Sequence, residues 1–412
     1  MGGMDGTCDV WIISVRKPWT SNRRDADSRG ISCMIKRDDS LDILKGVACI
    51  LMVFSHASID TRNIAILSLG FMGSFAAVLF FSVTGVTAWM QAGRRLPKEV
   101  LPPYLILLLA GFSLNGIIHI DFYKNFEVEM LQMIAMGASL VFLAQHFLHP
   151  RPVHYFLAGI LIYILKLSLD LLAQAPISAQ VLARPWLQGI LLPPGTFTPI
   201  PWLFVFFLGV FAYQASARKN LFLSSIAVFT TLGIFLVTRN PAQLDLVNKW
   251  DMSIGYFLFS CFCLFFSYYL TKRMVFNKEN PIPRFILFLG KNSLLFLYVH
   301  IFVINILYKL GAASLVWLYW PLVLMITSVL LYIIVFLYPK TNFSRLFHYK
   351  VTWIILITCV MITPLAFKDK FAIFLLEFLW GVCLSTNFAI SKELFRVKQV
   401  TPIGSLEKIV GV

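Results

Sequence analysis

Charge is scarce in this chain: 13% of its 412 residues are Asp, Glu, Lys or Arg, where a soluble domain carries roughly a quarter. That shortage excludes a water-soluble fold of this length. Segments of ~10 residues alternating apolar and polar side chains are missing too, which excludes a transmembrane β-barrel. The seven cysteines show no disulfide or zinc spacing. Five of them (Cys49, Cys261, Cys263, Cys359 and Cys383) lie in apolar blocks and read as small packing residues. No repeat of fixed period is visible, which speaks against a transporter built from inverted repeats. Nor does an apolar run open the chain. Residues 1–35, with "RKPWTSNRRDADSRG", are polar and basic, so no cleavable signal peptide is expected there. Met34, directly before "IKRDDSLDILKG", offers an alternative start.

What the chain has in quantity is apolar mass. Hydrophobic residues make up 58% of it, and the mean hydropathy is +0.78. They fall into blocks of about 18 to 27 residues, long enough to cross a ~30 Å hydrocarbon core. Spans are expected at 41–60, 64–90, 100–120, 127–148, 153–173, 196–215, 220–238, 250–270, 284–308, 313–338, 352–367 and 371–390. The fold class is therefore all-α, a polytopic integral membrane bundle of about 11–12 transmembrane helices. Three regions follow: a basic cytoplasmic tail (1–35), a transmembrane domain (36–390) and a cytoplasmic C-terminal tail (391–412).

The net charge of +15 is a topology signal. With the N-terminus in the cytoplasm, the inside segments collect the basic pairs Arg23–Arg24, Arg94–Arg95, Arg218–Lys219 and Lys272–Arg273, with Lys340, Lys392 and Arg396. Outside loops hold only scattered cations such as Arg62, Lys124, Arg184, Lys249 and Lys309. This is the positive-inside pattern of a membrane protein, and nucleic acid is not an expected partner.

A few polar residues interrupt the apolar blocks. In "SLDILKGVACILMVFSHAS" (40–58), Asp42, Cys49, His56 and Asp60 fall on one helix face at ~100° per residue, with Lys45 slightly aside. Such a stripe must face the bundle interior or a wet cavity, and Gly46 on the neighbouring face permits close helix packing. His56 lies ~21 Å beyond Asp42 along the helix, in the outer half of the membrane. The block 289–307, "LGKNSLLFLYVHIFVINIL", places Ser293 and His300 on one face, with Gly290, Lys291 and Asn292 as a possible start of its helix. A lone intramembrane histidine is equally explained by a bond to a neighbouring helix. Two near the outer side could bracket a reaction site, because imidazole is a usable base near ambient pH.

Other polar groups read as structural. Lys166 and Asp170, four residues apart, are expected to neutralise one another. His146, His149 and His154 gather at a cytoplasmic turn with no acidic or cysteine partner, so no metal site is expected. His119 and Asn115 lie near the outer end of the third span. The long outside connection 174–202, "QAPISAQVLARPWLQGILLPPGTFTPIPW", is where binding residues tend to sit; its alternative is a plain loop with interfacial tryptophans.

These residues resemble a family. "KRDDSLDILKGVACILMVFSHA" is similar to the first-helix signature of the transmembrane acyltransferase superfamily: an arginine, then Asp-x-x-(Arg/Lys)-Gly, then a histidine one span away. "LFFSVTGVTAWM" (79–90) resembles the Phe-Phe-x-x-Ser/Thr-Gly stretch that follows, and "EMLQMIAMGASLVFLAQ" the fourth-span pattern. "FTPIPWLFVFFLGVFAY" (197–213) is similar to a Pro-x-x-Pro-Trp segment in bacterial relatives of heparan-α-glucosaminide N-acetyltransferase, and "GKNSLLFLYVH" to a late Gly-x-x-Ser-Leu-x-x-Tyr-x-x-His element. Together these cover about residues 36 to 310. Lys45 stands where the acyltransferase-3 branch usually has arginine, and Thr84 where it often has serine.

The resemblance implies transfer of an acyl group, usually acetyl, from acyl-CoA to a hydroxyl or amino group of an extracytoplasmic glycan or amino sugar. It implies location in a bacterial cytoplasmic membrane. His56 and His300 are then the catalytic candidates, as base or covalent carrier. Asp42, Lys45, Asn292 and Ser293 are supporting candidates; Asn292, Ser293 and His300 are possible oxyanion donors, and Asp42 pairs with Lys45 or Arg37. Arg37, Arg94 and Arg95 are candidates for the polyanionic donor, acetyl-CoA or another acyl-CoA. His119, Arg184, Trp186 and Trp202 are candidates for the acceptor. The competing expectation is a proton-coupled transporter or flippase in which the histidines relay protons.

Overall fold

The apolar blocks of the sequence become helices end to end. The computed structural model describes residues 38–57, 63–118, 127–174, 190–192, 196–238, 245, 248–274 and 279–395. In chain order these form α1 (Asp39–His56), α2 (Ile64–Gly73), α3 (Ala76–Ala92), α4 (Pro97–Ile118) and α5 (Met130–Leu143), the last continued by a π-helical turn, Ala144–Leu148. Then come α6 (Pro152–Leu172), α7 (Pro199–Gln214), α8 (Ala217–Thr238), α9 (Ile254–Arg273), α10 (Pro281–Lys291) and α11 (Ser293–Lys309). A 3-10 segment, Ala312–Leu318, leads into α12 (Tyr319–Leu337), and α13 (Lys350–Ala366) and α14 (Lys370–Leu394) close the chain. No strand occurs among the described residues, so the all-α expectation holds.

Every expected span coincides with a helical segment, although fewer qualify as spans by themselves. Among the described residues eight helical stretches are long and apolar enough to cross a membrane, with α2 and α3 counted as one, and nine if α10 and α11 form one broken span. The first expected span, α1, carries Asp39, Asp42 and Lys45 in its 18 residues, and α7 and α13 are short at 16 and 17 residues. The burial pattern is that of a protein in lipid. α8 is strongly apolar yet very little of it is buried within the protein, and Phe222, Phe229 and Leu236 are exposed on its surface. Such a helix needs an apolar solvent.

Two helices organise the interior. Around α1 pack α2, α3, α10, α11 and α12; around α3 pack α5, α7 and α9. The last pair, α13 and α14, packs against α4, and α14 also meets α11. Where α1 crosses α10 the backbones touch: a Cβ on Gly46 would collide with the Ile286 carbonyl, and one on Gly290 with the Asp42 carbonyl. The close packing expected of Gly46 is realised there.

The block 284–308 is not one straight helix. It bends by 91° between α10 and α11, at Asn292, whose side chain donates to the Phe288 carbonyl and closes α10. Polar Lys291 and Asn292 stop the apolar run, so α11 starts afresh at Ser293. The Sγ of Cys49 faces the Leu289 carbonyl at 3.8 Å, which sets this break at the level of Cys49 on α1. From there His56 lies seven residues along α1, and His300 lies seven residues beyond Ser293, the start of α11.

Candidate active site

His56 ends α1, and several contacts fix that end. The Trp320 indole donates to the Ala57 carbonyl at 2.8 Å, its ring meets Phe54 edge-on at 5.1 Å, and Gly73 packs against the backbone of Leu51 and Ser55. His300 is fully buried in α11. His56 Nδ1 lies 2.8 Å from His300 Nε2.

The protons on this pair follow from its last partner. His300 Nδ1 lies 2.9 Å from the Phe296 carbonyl, and a carbonyl only accepts. His300 Nδ1 therefore carries the hydrogen, and its Nε2 is left to accept. His56 Nδ1 then donates to His300, which leaves a lone pair on His56 Nε2. One neutral histidine orients another and presents it as a base.

His56 is exposed where it lines a cavity of about 740 Å³, a volume in the range of small-molecule sites. The wall comes from many elements: Ser55 and His56 of α1, Gly73 and Ser74 with Ala76 and Ala77 at the α2–α3 junction, Leu114 of α4, Glu127 and Glu129 before α5, Thr196, Phe197 and Trp202 around the start of α7, Lys249 and Trp250 before α9, and Leu297, Ile301 and Asn305 of α11. Trp202 is buried, with Phe197 and Phe81 edge-on against it, and its indole N–H has no hydrogen-bond partner among the described residues. Asn115 donates to the Glu127 carbonyl at 3.3 Å, placing the outer end of α4 beside this wall.

Two groups here have displaced pKa values. Glu129 precedes α5, and its burial, with Glu127 nearby, pushes the carboxyl up to about 7. Burial pulls the Lys249 ammonium down to about 8.

A family model described as an acyltransferase domain matches residues 38–339. The chain belongs to the acyltransferase-3 family. It is a membrane acyltransferase, and the sequence resemblance over about 36 to 310 falls almost wholly inside the match. Searches of curated proteins and of solved structures return no significant match.

Within this acyltransferase the sequence candidates separate into three places. His56 and Trp202 line the cavity, with His300 buried behind His56. Asp42 and Lys45 form an ion pair of 3.1 Å near the start of α1; the alternative partner, Arg37, lies outside the described residues. Asn292 and Ser293 stay at the α10–α11 break, about 10 Å along α11 from His300 at 1.5 Å per residue; the fold does not bring them to the histidines. Arg94 and Arg95 follow α3 at its far end, opposite the Gly73–Ala77 junction that lines the cavity. Arg37, Asp60, His119, Arg184 and Trp186 lie outside the described residues.

The expected neutralisation of Lys166 occurs, at 2.6 Å from Asp170, and Asp251 joins as a third member at 3.5 Å. Among the described residues no group of three or more His, Cys, Asp or Glu is placed to hold a metal. Sequence reasoning missed Glu127, Glu129, Thr196, Lys249 and Trp250. The available signal was the rarity of acids, 20 in 412 residues, against two of them heading the "EMLQMIAMG" stretch.

Proposed function

We propose that this acyltransferase moves an acetyl or other short acyl group from acyl-CoA to a hydroxyl or amino group of a glycan or amino sugar seated in the cavity. The observation that carries this reading is the Phe296–His300–His56 chain, which ends in an unprotonated Nε2 at the cavity wall. His56 takes the proton of the acceptor group as that group attacks the thioester carbonyl. The C–S bond breaks, and the proton passes to the departing CoA thiolate, so that CoA leaves as the thiol. His300 holds His56 in the productive tautomer throughout, as a third group does for other base-activated sites. Trp250, exposed at the cavity wall, offers a flat aromatic face to a sugar ring, and buried Trp202 backs the same wall.

The donor fits the far end of the bundle. Arg94 is exposed, Arg95 half-buried and Lys45 partly exposed, and cations of this kind suit the phosphates of CoA. Lys45 and His56 are separated by about 16 Å along α1, a distance suited to a thioester on a long pantetheine arm.

The test is incubation of purified protein with radiolabelled acetyl-CoA and membrane glycans, comparing wild type with His56→Ala and His300→Ala. Loss of a general base lowers the rate ~10²–10⁴-fold; that loss is expected in His56→Ala at an unchanged melting temperature in detergent, with a smaller loss in His300→Ala. Full transfer by His56→Ala removes it from the mechanism, and transport of sugar without CoA release would favour the transporter.

A further inference from the structure

Among the charged side chains of the cavity wall, Lys249 stands apart. Glu127 Oε2 accepts two hydrogen bonds from Thr196, from the backbone N at 3.1 Å and from Oγ1 at 2.6 Å. Glu129 closes the capping box of α5 with Gln132. Asp251, two residues along from Lys249, turns instead to Lys166 at 3.5 Å. Lys249 forms no ion pair with a described carboxylate, and its Nζ rests over the Trp250 ring at 4.1 Å from the centroid.

A partly buried ammonium is ordinarily paired with an acid, because desolvation penalises the bare charge. An indole face compensates it less than a carboxylate does. Burial pulls the Lys249 ammonium down to about 8, as expected where no anion offsets the loss of water. The wall that holds it also holds His56 and Trp202. A ligand that brings its own negative charge completes this arrangement.

We propose that the acceptor carries an anionic group, a carboxylate or a phosphate, which seats on Lys249 while the sugar ring lies against Trp250 and a neighbouring hydroxyl or amino group faces His56. This rests on the reading of the cavity as the acceptor site. It assigns Lys249 a role in specificity: neutral sugars of the same size bind more weakly because they leave the ammonium without a counter-charge.

The experiment is saturation-transfer NMR on the full chain in detergent with three probes: glucuronate, glucose 1-phosphate and methyl glucoside. Wild type is expected to bind at least one acidic probe ~10-fold or more tightly than the neutral one, and the tighter acidic probe tells a carboxylate acceptor from a phosphate one. Lys249→Met is expected to abolish the preference and Lys249→Arg to keep it, both melting as wild type does. Equal binding of all three probes by wild type overturns the anionic acceptor and leaves acyl transfer standing. An unchanged preference in Lys249→Met with slower transfer also overturns it, since Lys249 would then act on the reaction and not on the acceptor. Absence of His56-dependent transfer in the acetyl-CoA assay overturns the acyl-transfer reading on which the proposal stands.

Discussion

Glu129 ties stability to pH at a single side chain. Its carboxyl is pushed up to about 7 from 4.5 by burial and by Glu127, so the native protein holds this proton more firmly than the unfolded chain does. The contribution is therefore largest below about pH 4.5, is lost as pH rises through about 7, and is constant above that. Glu129→Gln keeps an oxygen to accept from the Gln132 N–H of the capping box but cannot ionise. Melting temperature in detergent is expected to fall for wild type between pH 5 and 8 and to stay flatter for the variant, which ends the more stable at pH 8. Parallel curves would show that this proton is not linked to folding. At the same scale the two histidines were legible in the sequence, because each sits on an apolar helix where a polar side chain must have a reason. Glu129, Lys249 and Trp250 were not. They lie at span ends, where polar residues are ordinary, and only the fold carries them from two separate segments to one wall.

The crossing of α1 and α10 is what sets the histidines in register. Gly46 and Gly290 allow backbone contact there, Cys49 reaches Leu289, and further along His56 of α1 meets His300 of α11. Gly290→Ala places a methyl group where the Asp42 carbonyl stands. Overpacking of this kind costs ~1–3 kcal/mol and moves α10 away from α1. Lower melting temperature together with at least a tenfold loss of transfer is expected. Gly233→Ala in α8 is the control, since nothing stands within 4 Å of the added carbon; it is expected to melt at or slightly above wild type, as alanine is the better helix former. Similar effects from both glycines would break the link between crossing and catalysis. The sequence showed the Asp-x-x-Lys-Gly spacing and flagged Gly290, Lys291 and Asn292 as a possible helix start, but hydropathy alone runs through them. A 91° bend leaves little trace in a windowed average when both arms are apolar.

At the scale of the whole molecule the charge asymmetry becomes a geometry. Tyr256 at the start of α9 donates to the Ser74 carbonyl beside the cavity, so the basic end of α9, Lys272 and Arg273, lies at the other end of the bundle with Arg94 and Arg95. Trp320 at the start of α12 bonds Ala57 near His56, which sends Lys340 to that far end too, and Asn387 of α14 bonds Tyr338 there. One end of the protein is rich in arginine and lysine; the other opens the cavity. Positive-inside orientation predicts the basic end in the cytoplasm and the cavity outside, the arrangement that the proposed transfer from acyl-CoA to a glycan requires. Cysteines introduced at Asn248 and at Arg94, with Cys8 and Cys33 replaced by serine, separate the two faces. A membrane-impermeant maleimide is expected to label Asn248→Cys in intact cells and Arg94→Cys only after permeabilisation. The reverse pattern would put the histidine pair on the cytoplasmic side, and the acceptor would then have to be cytoplasmic. Labelling as expected means that the acyl group crosses most of the bundle before it reaches His56, so Lys45 and the α1–α10 crossing would flank its path as well as hold the helices together.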